Sequence, residues 1–149
     1  MKLRITMPTA LVAELDDVLH VRAEDASGAF GILRRHADFL TVLETSVVSW
    51  RRANGTEGHC AVRGGILTVS DGERIAIATR EAVPGNDLVH LESEVLEAFR
   101  RKTGEEQSAR AGSARLQLAA MRRIFDYLRP ERDAGKRPPL GLGARKSRA

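Results

Sequence analysis

Polar and apolar side chains alternate with a period of two early in the chain, at 2–7 and again at 19–24. In the second segment the apolar set is Leu19, Val21 and Ala23. We expect these three side chains to face a core, while the residues between them face solvent. Each segment therefore predicts a half-buried strand.

Four further strand-like runs are joined in pairs by short turn sequences. The runs are 47–52, 59–63, 66–70 and 74–79. Asn54-Gly55 connects the first pair and Asp71-Gly72 the second, and both dipeptides favour tight β-hairpin turns. Gly64-Gly65 lies between the two hairpins, where we expect a turn or a β-bulge. Short strands separated by such turns predict a β-sandwich or barrel rather than a parallel α/β sheet.

The pattern changes to helical spacing after Pro84-Gly85, where Asn86 or Asp87 can cap the start of a helix. Two apolar faces follow: Leu88, Leu91, Val95, Ala98 and Phe99, then Leu116, Ala120, Ile124, Tyr127 and Leu128. Gly104 and Gly112 interrupt the sequence between these faces. We therefore expect two amphipathic helices that pack antiparallel as a hairpin.

Together these elements predict a mainly β fold with C-terminal α structure. Residues 1–84 form the β-sandwich, 85–130 the helical hairpin, and 131–149 a tail that we expect to be disordered. The tail holds six Lys or Arg residues and two Asp or Glu residues, so the whole net charge of +4 lies there. Since the folded part has no excess of basic residues, we expect no nucleic-acid partner.

The sequence holds no pattern that is typical of a catalytic, cofactor or metal site. Glycine motifs that bind phosphate are absent, and the four histidines are scattered rather than spaced as metal ligands. The single cysteine, Cys60, lies in a strand-like run, which predicts a small buried hydrophobe. A Ser/His/Asp triad assembled from distant residues stays open, but no nucleophile-elbow motif indicates one. We therefore expect no catalytic residue, no cofactor and no metal.

The stretch 28–43 combines glycines, two apolar segments and a charged centre, Arg34-Arg35-His36. Ser27, Gly28 and Gly31 open this stretch, so its backbone can take conformations with positive φ. The order of residues predicts a short strand, an exposed charged loop and a return into the core. Charged side chains on a loop that a rigid sheet positions are candidates for binding.

This stretch resembles the signature of the epsilon subunit of F-type ATP synthases, G-x-F-G-I-L-x-x-H-A-x-x-L-T-x-L. The matching positions are Gly28, Phe30, Gly31, Ile32, Leu33, His36, Ala37, Leu40, Thr41 and Leu43. A second block, 61–69, is similar to the family's A-V-x-G-G-x-L-x-V, and the opening residues 1–6 also match. Arg34-Arg35 stands where most members have Pro-Gly. This departure, with the segment 46–50, resembles the alternate (N-type), sodium-linked branch of these ATPases.

The resemblance implies a non-catalytic rotor subunit of the central stalk. In the family this subunit binds gamma, its β-sandwich lies against the c-ring, and it couples ion translocation to ATP synthesis and hydrolysis. The residues that the resemblance places in a loop facing the c-ring are Gly28, Ala29, Phe30, Gly31, Arg34, Arg35 and His36. It also implies a peripheral location at the cytoplasmic face of the bacterial plasma membrane, which the chain contacts only through the ion-translocating sector.

In many relatives the C-terminal hairpin reaches the catalytic beta subunit and inhibits hydrolysis. The matching basic residues of the second helix are Arg115, Arg122, Arg123 and Arg129. Some relatives also bind ATP through a D-x-x-R-A motif on the first helix. Asp87 matches its acid, but His90 replaces the arginine and lacks the bidentate fork that pairs with phosphate. We therefore do not carry ATP sensing over to this chain.

A second function stays open at this point, a stand-alone β-sandwich module that recruits a protein partner through its helical hairpin. Whether H⁺ or Na⁺ drives the rotor is also open, because the ion is selected in the c-ring. The sequence further leaves open whether the hairpin is folded or extended, whether ATP binds, and what the basic tail contacts.

Overall fold

The computed structural model describes residues 1–128, and the chain divides into two compact units, Met1–Gln107 and a second that begins at Ser108. The strands are β1 (Lys2–Met7), β2 (Ala10–Leu15), β3 (Val18–Asp25), β4 (Gly28–Leu33), β5 (Phe39–Arg52), β6 (Glu57–Ser70), β7 (Arg74–Ala78) and β8 (Ala82–Gly85). The helices are α1 (Leu88–His90) and α2 (Leu96–Leu128), joined by a π-helical turn at Leu91–Val95.

The strands form two layers that share the long strands β5 and β6. In one layer the order is β2-β1-β7-β6-β5, with β1 and β7 parallel. In the other layer β8, β6, β5, β3 and β4 are antiparallel neighbours. Strand β6 pairs with β7 through 66–70 and with β8 through 59–62, so it passes from one layer to the other. The predicted β-sandwich is confirmed.

One apolar core lies between the two layers. Its side chains that are at most 2% exposed include Leu3, Ile5, Leu67, Ile75 and Ile77 from one layer and Val18, Val21, Ile32, Val48 and Val62 from the other. Burial of each such side chain stabilises the fold by about 1.5–3 kcal/mol. Cys60 lies in the same core, as predicted, and burial raises the pKa of its thiol to about 11.

Both predicted hairpin turns are present, and they set the register of the sheet. Asp71 and Gly72 have φ values of 55° and 65°, the left-handed pair that a type I′ turn requires. In the other turn, Asn54 Oδ1 accepts a hydrogen bond from the Thr56 amide at 3.0 Å. The register of β5 with β6 is unshifted from Phe39–Val69 to Arg51–Glu57.

The prediction of a turn or bulge at Gly64-Gly65 is wrong, because β6 runs through both residues in this unshifted register. Their φ values are 63° and 138°. A Cβ at Gly65 would lie 2.4 Å from the Ala78 carbonyl oxygen. Glycine is required here because β6 changes layers where the end of β7 comes close to its backbone.

Strand β3 contains an irregularity that the alternation of residue types does not show. Leu19 is 46% exposed, whereas Val18 and Val21 are buried. The pairing of β3 with β5 shifts between Val18 and His20. An extra residue in a strand reverses the side to which the next side chain points. The prediction that Leu19 faces the core is therefore wrong.

Asp87 caps the first helix, as predicted, by accepting a hydrogen bond from a backbone amide of the first turn. The π-helical turn then changes which residues are buried. The Leu96 amide donates to the Leu91 carbonyl, five residues back, so the turn holds one more residue than an α-helical turn. Leu91, Leu96 and Phe99 are consequently the buried residues, while Val95, predicted on this face, is only half-buried.

Helix α2 continues through Gly104 and Gly112 without a break. A glycine in a helix interior costs only about 1 kcal/mol relative to alanine, and the surrounding residues are good helix formers. The C-terminal region is helical as predicted, but it forms one long helix and the antiparallel two-helix hairpin is not observed. The predictions for 131–149 lie outside the described residues, and the domain division 1–84, 85–130 and 131–149 stays a prediction.

Candidate functional site

The seven residues predicted to face the c-ring do not form one loop. Gly28, Ala29, Phe30 and Gly31 belong to β4, whereas Arg34, Arg35 and His36 follow its end. Because a strand rises about 3.3 Å per residue, the two ends of this six-residue strand are about 16 Å apart. The single loop from 27 to 36 is therefore replaced by two separate features, which we call the β3–β4 turn (25–28) and the arginine loop (34–38).

The β3–β4 turn is built around the carboxylate of Asp25. Asp25 Oδ1 accepts hydrogen bonds from the Ser27 amide at 2.9 Å and the Ser27 hydroxyl at 2.6 Å. Its Oδ2 accepts from the Thr41 hydroxyl at 2.8 Å. These hydrogen bonds lower the pKa of Asp25 and so keep it charged. Gly28 has φ 120°, as predicted, and Ala29 is exposed beside the turn.

The arginine loop is held in place by the neighbouring β6–β7 turn. Arg35 has φ 66°, and its amide donates to the Gly72 carbonyl at 2.9 Å. A Cβ at Gly72 would lie 2.9 Å from the Arg35 Cα, so only glycine allows this approach. Asp38 Oδ1 accepts from the Asp71 amide at 2.9 Å. The loop is thus positioned by the Arg35 backbone amide and the Asp38 carboxylate, which both contact the β6–β7 turn.

The two arginines of this loop differ in their electrostatic partners. Arg34 Nε lies 3.8 Å from Glu73 Oε1, so a surface carboxylate already balances part of its charge. Arg35 is exposed and makes no ion pair with any residue of the described part of the chain. His36 Nδ1 hydrogen-bonds to the Ala37 carbonyl at 2.8 Å. Arg35 is therefore the cation that is available to a partner.

One of the predicted contact residues, Phe30, has a structural role instead. Phe30 packs edge-to-face on Phe39, with ring centroids 5.7 Å apart, and both rings close one side of the core. Gly31 does not use the positive φ that glycine allows. A Cβ there would lie 2.8 Å from His20 Nε2, which is at the far end of a side chain that can move aside.

The predicted regulatory arginines lie on α2 in the second unit. Arg115, Arg122 and Arg123 are exposed, and none forms an ion pair with a residue in 1–128. Arg129 lies outside the described residues. The same helix segment exposes Leu116, Met121, Ile124, Phe125 and Tyr127, each more than half exposed. This segment therefore offers both charge and apolar surface to a partner.

The sequence reasoning missed an apolar patch on the outer face of the sandwich. Val42 and Ile66 are directly paired across β5 and β6, and they are 66% and 49% exposed. Leu40, two residues before Val42 on the same face, is 67% exposed. We call these three residues the outer apolar patch. The sequence of 39–43 indicates this patch, because apolar residues occur there at both odd and even positions. A strand with only one buried face would have apolar residues at alternate positions only.

The N-terminal part of the chain matches a known family. Residues 1–85 match the profile described as ATP synthase, Delta/Epsilon chain, beta-sandwich domain. The chain is 40% identical over 132 residues to the ATP synthase epsilon chain 2 of Paraburkholderia xenovorans, covering 89% of this chain and 95% of that one. This chain belongs to the ATP synthase epsilon-chain family.

A second relative matches most of the chain, and two solved structures share its fold. The ATP synthase epsilon chain 2 of Cereibacter sphaeroides is 41% identical over 126 residues, covering 85% of this chain and 86% of that one. A chain from the mitochondrial ATP synthase of Euglena gracilis superposes with a TM-score of 0.54 at 23% identity, covering 64% of this chain and 61% of that one. A chain from a central-stalk and c-ring structure of the mitochondrial ATP synthase of Tetrahymena thermophila superposes with a TM-score of 0.50 at 17% identity. The match covers 69% of this chain and 90% of that one. At these identities the structures support the fold alone.

Membership of the family selects the first of the two functions that the sequence left open. Within residues 1–128, no group of His, Cys, Asp or Glu side chains could hold a metal ion. None of the helices among those residues is both long and apolar enough to span a membrane. Within residues 1–128, the candidate binding features are the β3–β4 turn, the arginine loop, the outer apolar patch and the part of α2 from 108 to 128, which we call the basic helix segment.

Proposed function

We propose that this chain is the epsilon subunit of a bacterial rotary ATP synthase and acts as a non-catalytic part of its central stalk. The observation that carries the proposal is the 40% identity over 132 residues to a chain named as such, which extends beyond the sandwich into the helix. In this role the chain transmits torque between the c-ring and the F1 head. It does so from the cytoplasmic face of the plasma membrane, as a peripheral subunit.

The structure supports a mechanical role for the sandwich. Two layers share a core whose residues are almost fully buried, and strands β5 and β6 pass through both layers. Close packing gives such a body low compressibility, so force applied at one face reaches another with little loss. The buried thiol of Cys60, with its pKa raised to about 11, is unsuited to act as a nucleophile.

The c-ring contact is made through the stretch 28–43, where Arg35 supplies a free positive charge on a rigid loop. Acidic or carbonyl groups on the ring would accept hydrogen bonds from the Arg35 guanidinium. The β3–β4 turn, with exposed Ala29 beside it, is the second candidate contact in this stretch. Because the two features lie at opposite ends of β4, variants can test each one separately.

The outer apolar patch gives the chain a surface that suits gamma. Leu40, Val42 and Ile66 form a contiguous apolar area on one face of the sheet, and burying such residues is the main favourable term in protein association. The basic helix segment with Arg115, Arg122 and Arg123 suits an acidic surface of the catalytic beta subunit, where it would inhibit hydrolysis. Arg129 is proposed to act with them.

Cosedimentation of the F1 head with membranes tests the ring contact. Arg34→Ala with Arg35→Ala should weaken attachment, and the difference from the unsubstituted chain should be largest at low salt, because salt screens the arginine charges of the unsubstituted chain. Arg35→Ala alone should account for most of the loss, because Arg34 is already paired with Glu73. Arg51→Ala, which removes an exposed arginine from the far end of β5, is the control.

Two results would revise or remove this contact. Loss of attachment in Ala29→Trp with normal attachment in the arginine variants would assign the ring contact to the β3–β4 turn. Normal attachment in all of these variants would contradict a ring contact at 28–43.

Truncation after Asp87 tests the regulatory role. The truncated chain keeps all eight strands, so it should assemble normally while ATP hydrolysis by the complex rises. Arg122→Ala with Arg123→Ala should raise hydrolysis in part, whereas Arg101→Ala, on the same helix but in the first unit, should not. Unchanged hydrolysis in the truncated complex would exclude inhibition.

Calorimetric titration with ATP should show no binding, because His90 replaces the phosphate-binding arginine.

The alternate, sodium-linked branch is proposed as the finer assignment. It is supported by Arg34-Arg35 in place of the usual Pro-Gly. Dependence of ATP synthesis on a sodium gradient, measured with and without a protonophore, tests it. Synthesis that needs only a proton gradient would exclude sodium coupling without affecting the role of the chain in the stalk.

A further inference from the structure

Five charged side chains meet where helix α2 passes β6, and none of the proposed partner contacts uses them. The centre is Arg63, whose side chain is only 9% exposed. Its Nε lies 3.0 Å from Glu81 Oε2, and its Nη1 donates to Glu106 Oε1 at 2.9 Å. Arg80 Nη1 lies 3.6 Å from Glu106 Oε2, and Lys102 pairs with Glu81. We call this group the Arg63 cluster.

Apolar packing between the helix and the sandwich ends before the cluster. Leu91, Leu96 and Phe99 pack around Ala61 of β6. After Phe99, no described residue of α2 is buried. Thr103, one turn later, is only half-buried and lines a cavity of about 730 Å³. Among the described residues, the ion pairs of the Arg63 cluster are therefore the main connection between 100–107 and the sandwich.

The two carboxylates that share Arg63 belong to different parts of the molecule. Glu81 precedes β8 and is fixed beside Arg63 by the Arg63 amide, which donates to the Glu81 carbonyl at 2.9 Å. Glu106 lies on the helix. If the helix withdraws, Glu106 returns to water while Arg63 keeps Glu81, so the buried guanidinium retains a counterion. The contact can therefore open without leaving an uncompensated charge in the sandwich.

We propose that Arg63 and Glu106 form a reversible latch that holds residues 100–107 of the helix on the sandwich. The latch closes beyond the last apolar contact and one residue before the end of the first compact unit at Gln107. It deepens the proposed function, and rests on it only for its consequence: if the helix is regulatory, the latch controls how often its first turns leave the sandwich.

Hydrogen–deuterium exchange of the isolated full-length chain tests the latch. Glu106→Gln keeps the size of the side chain and removes its charge. Exchange of the amides in 100–107 should become about fivefold faster, while the amides of β5, β6 and β7 should not change. Glu105→Gln is the matched control, because Glu105 is the neighbouring helix residue, is exposed, and makes no ion pair within residues 1–128.

A double-mutant cycle separates the latch from a general loss of charge. Arg63→Met should accelerate exchange in 100–107 as well, and adding Glu106→Gln to it should produce little further change. Equal exchange in Glu106→Gln and Glu105→Gln, or full additivity of Arg63→Met and Glu106→Gln, would overturn the latch. Unchanged β-sheet amides show that a variant is folded.

This test does not depend on the rest of the ATP synthase. Faster exchange in Glu106→Gln with unchanged hydrolysis after truncation at Asp87 would keep the latch and remove the regulatory role. The reverse pair of results would keep the regulatory role and remove the latch.

Discussion

The β-sandwich and the helix segment Ser108–Leu128 contain the same kinds of apolar residue and use them in opposite ways. Ile77 of β7 is 1% exposed, whereas Ile124 of α2 is 57% exposed. In the sandwich, apolar side chains are buried in the core of their own unit. In the helix segment every described side chain is exposed, so its apolar residues are available for a surface other than its own.

This difference is what the two proposed roles, a rigid joint and a regulator, require of one chain. A closed core gives the sandwich a single stable shape, because moving its strands would expose apolar surface to water. The helix segment has no such core and can exchange partners at low cost. The Arg63 cluster holds the helix by charge and not by apolar packing, so opening this contact does not expose an apolar core to water.

Matched isoleucine substitutions should give the largest contrast between the two regions. Ile77→Ala removes a fully buried side chain and should lower the free energy of unfolding by about 3 kcal/mol. Ile124→Ala should change it by less than about 0.5 kcal/mol, because the side chain is already in water. Urea denaturation followed by tryptophan fluorescence measures both. Equal losses would mean that the helix segment has a core of its own.

Matched glycine substitutions in the two regions should change stability in opposite directions. Gly65→Ala places a Cβ 2.4 Å from the Ala78 carbonyl oxygen at φ 138°, and should destabilise the protein by about 2 kcal/mol or more. Gly112→Ala meets no atom within 4 Å and should raise helix stability by about 0.5–1 kcal/mol. Urea melts report the first change and far-UV circular dichroism the second. A destabilising Gly112→Ala would indicate that the helix needs a break at that position.

The thiol of Cys60 should report the closure of the sandwich core. Its pKa of about 11 lies above the ordinary 9.0, so the folded state keeps a proton that the unfolded state loses as pH rises through 9. Stability should therefore fall between pH 9 and 11, by at most about 1.4 kcal/mol per pH unit. Cys60→Ala should show a shallower loss over that range, measured by urea melts. An equal slope would mean that the thiol is not protected.

The two regions should differ least in how acid changes their stability. The hydrogen bond from Arg52 lowers the pKa of Asp17, so this pair stabilises the fold above the ordinary value of 3.8 and its contribution is lost as pH falls through the pKa of Asp17. Asp17→Asn should reduce the acid sensitivity of the thermal transition slightly. Asp126→Asn, in the helix segment, should leave it unchanged. Identical acid curves for Asp17→Asn and the unsubstituted chain would remove the pair as a source of stability.

Local chemistry predicted those parts of the fold that short segments determine by themselves. The two hairpins follow from Asn54-Gly55 and Asp71-Gly72, and the helix start follows from Asp87. The bulge at Leu19 could not be predicted, because it depends on how β3 pairs with β5 and not on its own residues. The parallel pairing of β1 with β7 joins residues more than seventy positions apart, and no local pattern indicates it.

The candidate site divides in the same way. The charged centre of 28–43 is visible in the sequence, but its separation from the β3–β4 turn appears only when β4 forms as a full strand. The π-helical turn shifts the buried face from Val95 to Leu96. A prediction based on α-helical periodicity cannot include this shift, because it assumes about 3.6 residues in every turn. The Arg63 cluster was missed because Arg63 and Glu106 are 43 residues apart.

Ion-driven ATP synthesis in reconstituted vesicles shows whether a rigid sandwich transmits torque without catalysing a reaction. Vesicles are assembled from the other subunits of the complex, with no epsilon chain, with the full chain, or with the chain truncated after Asp87. We expect coupled synthesis to be lost without the chain and to be restored by both forms. Equal synthesis without the chain, or ATP turnover by the isolated chain, would contradict it.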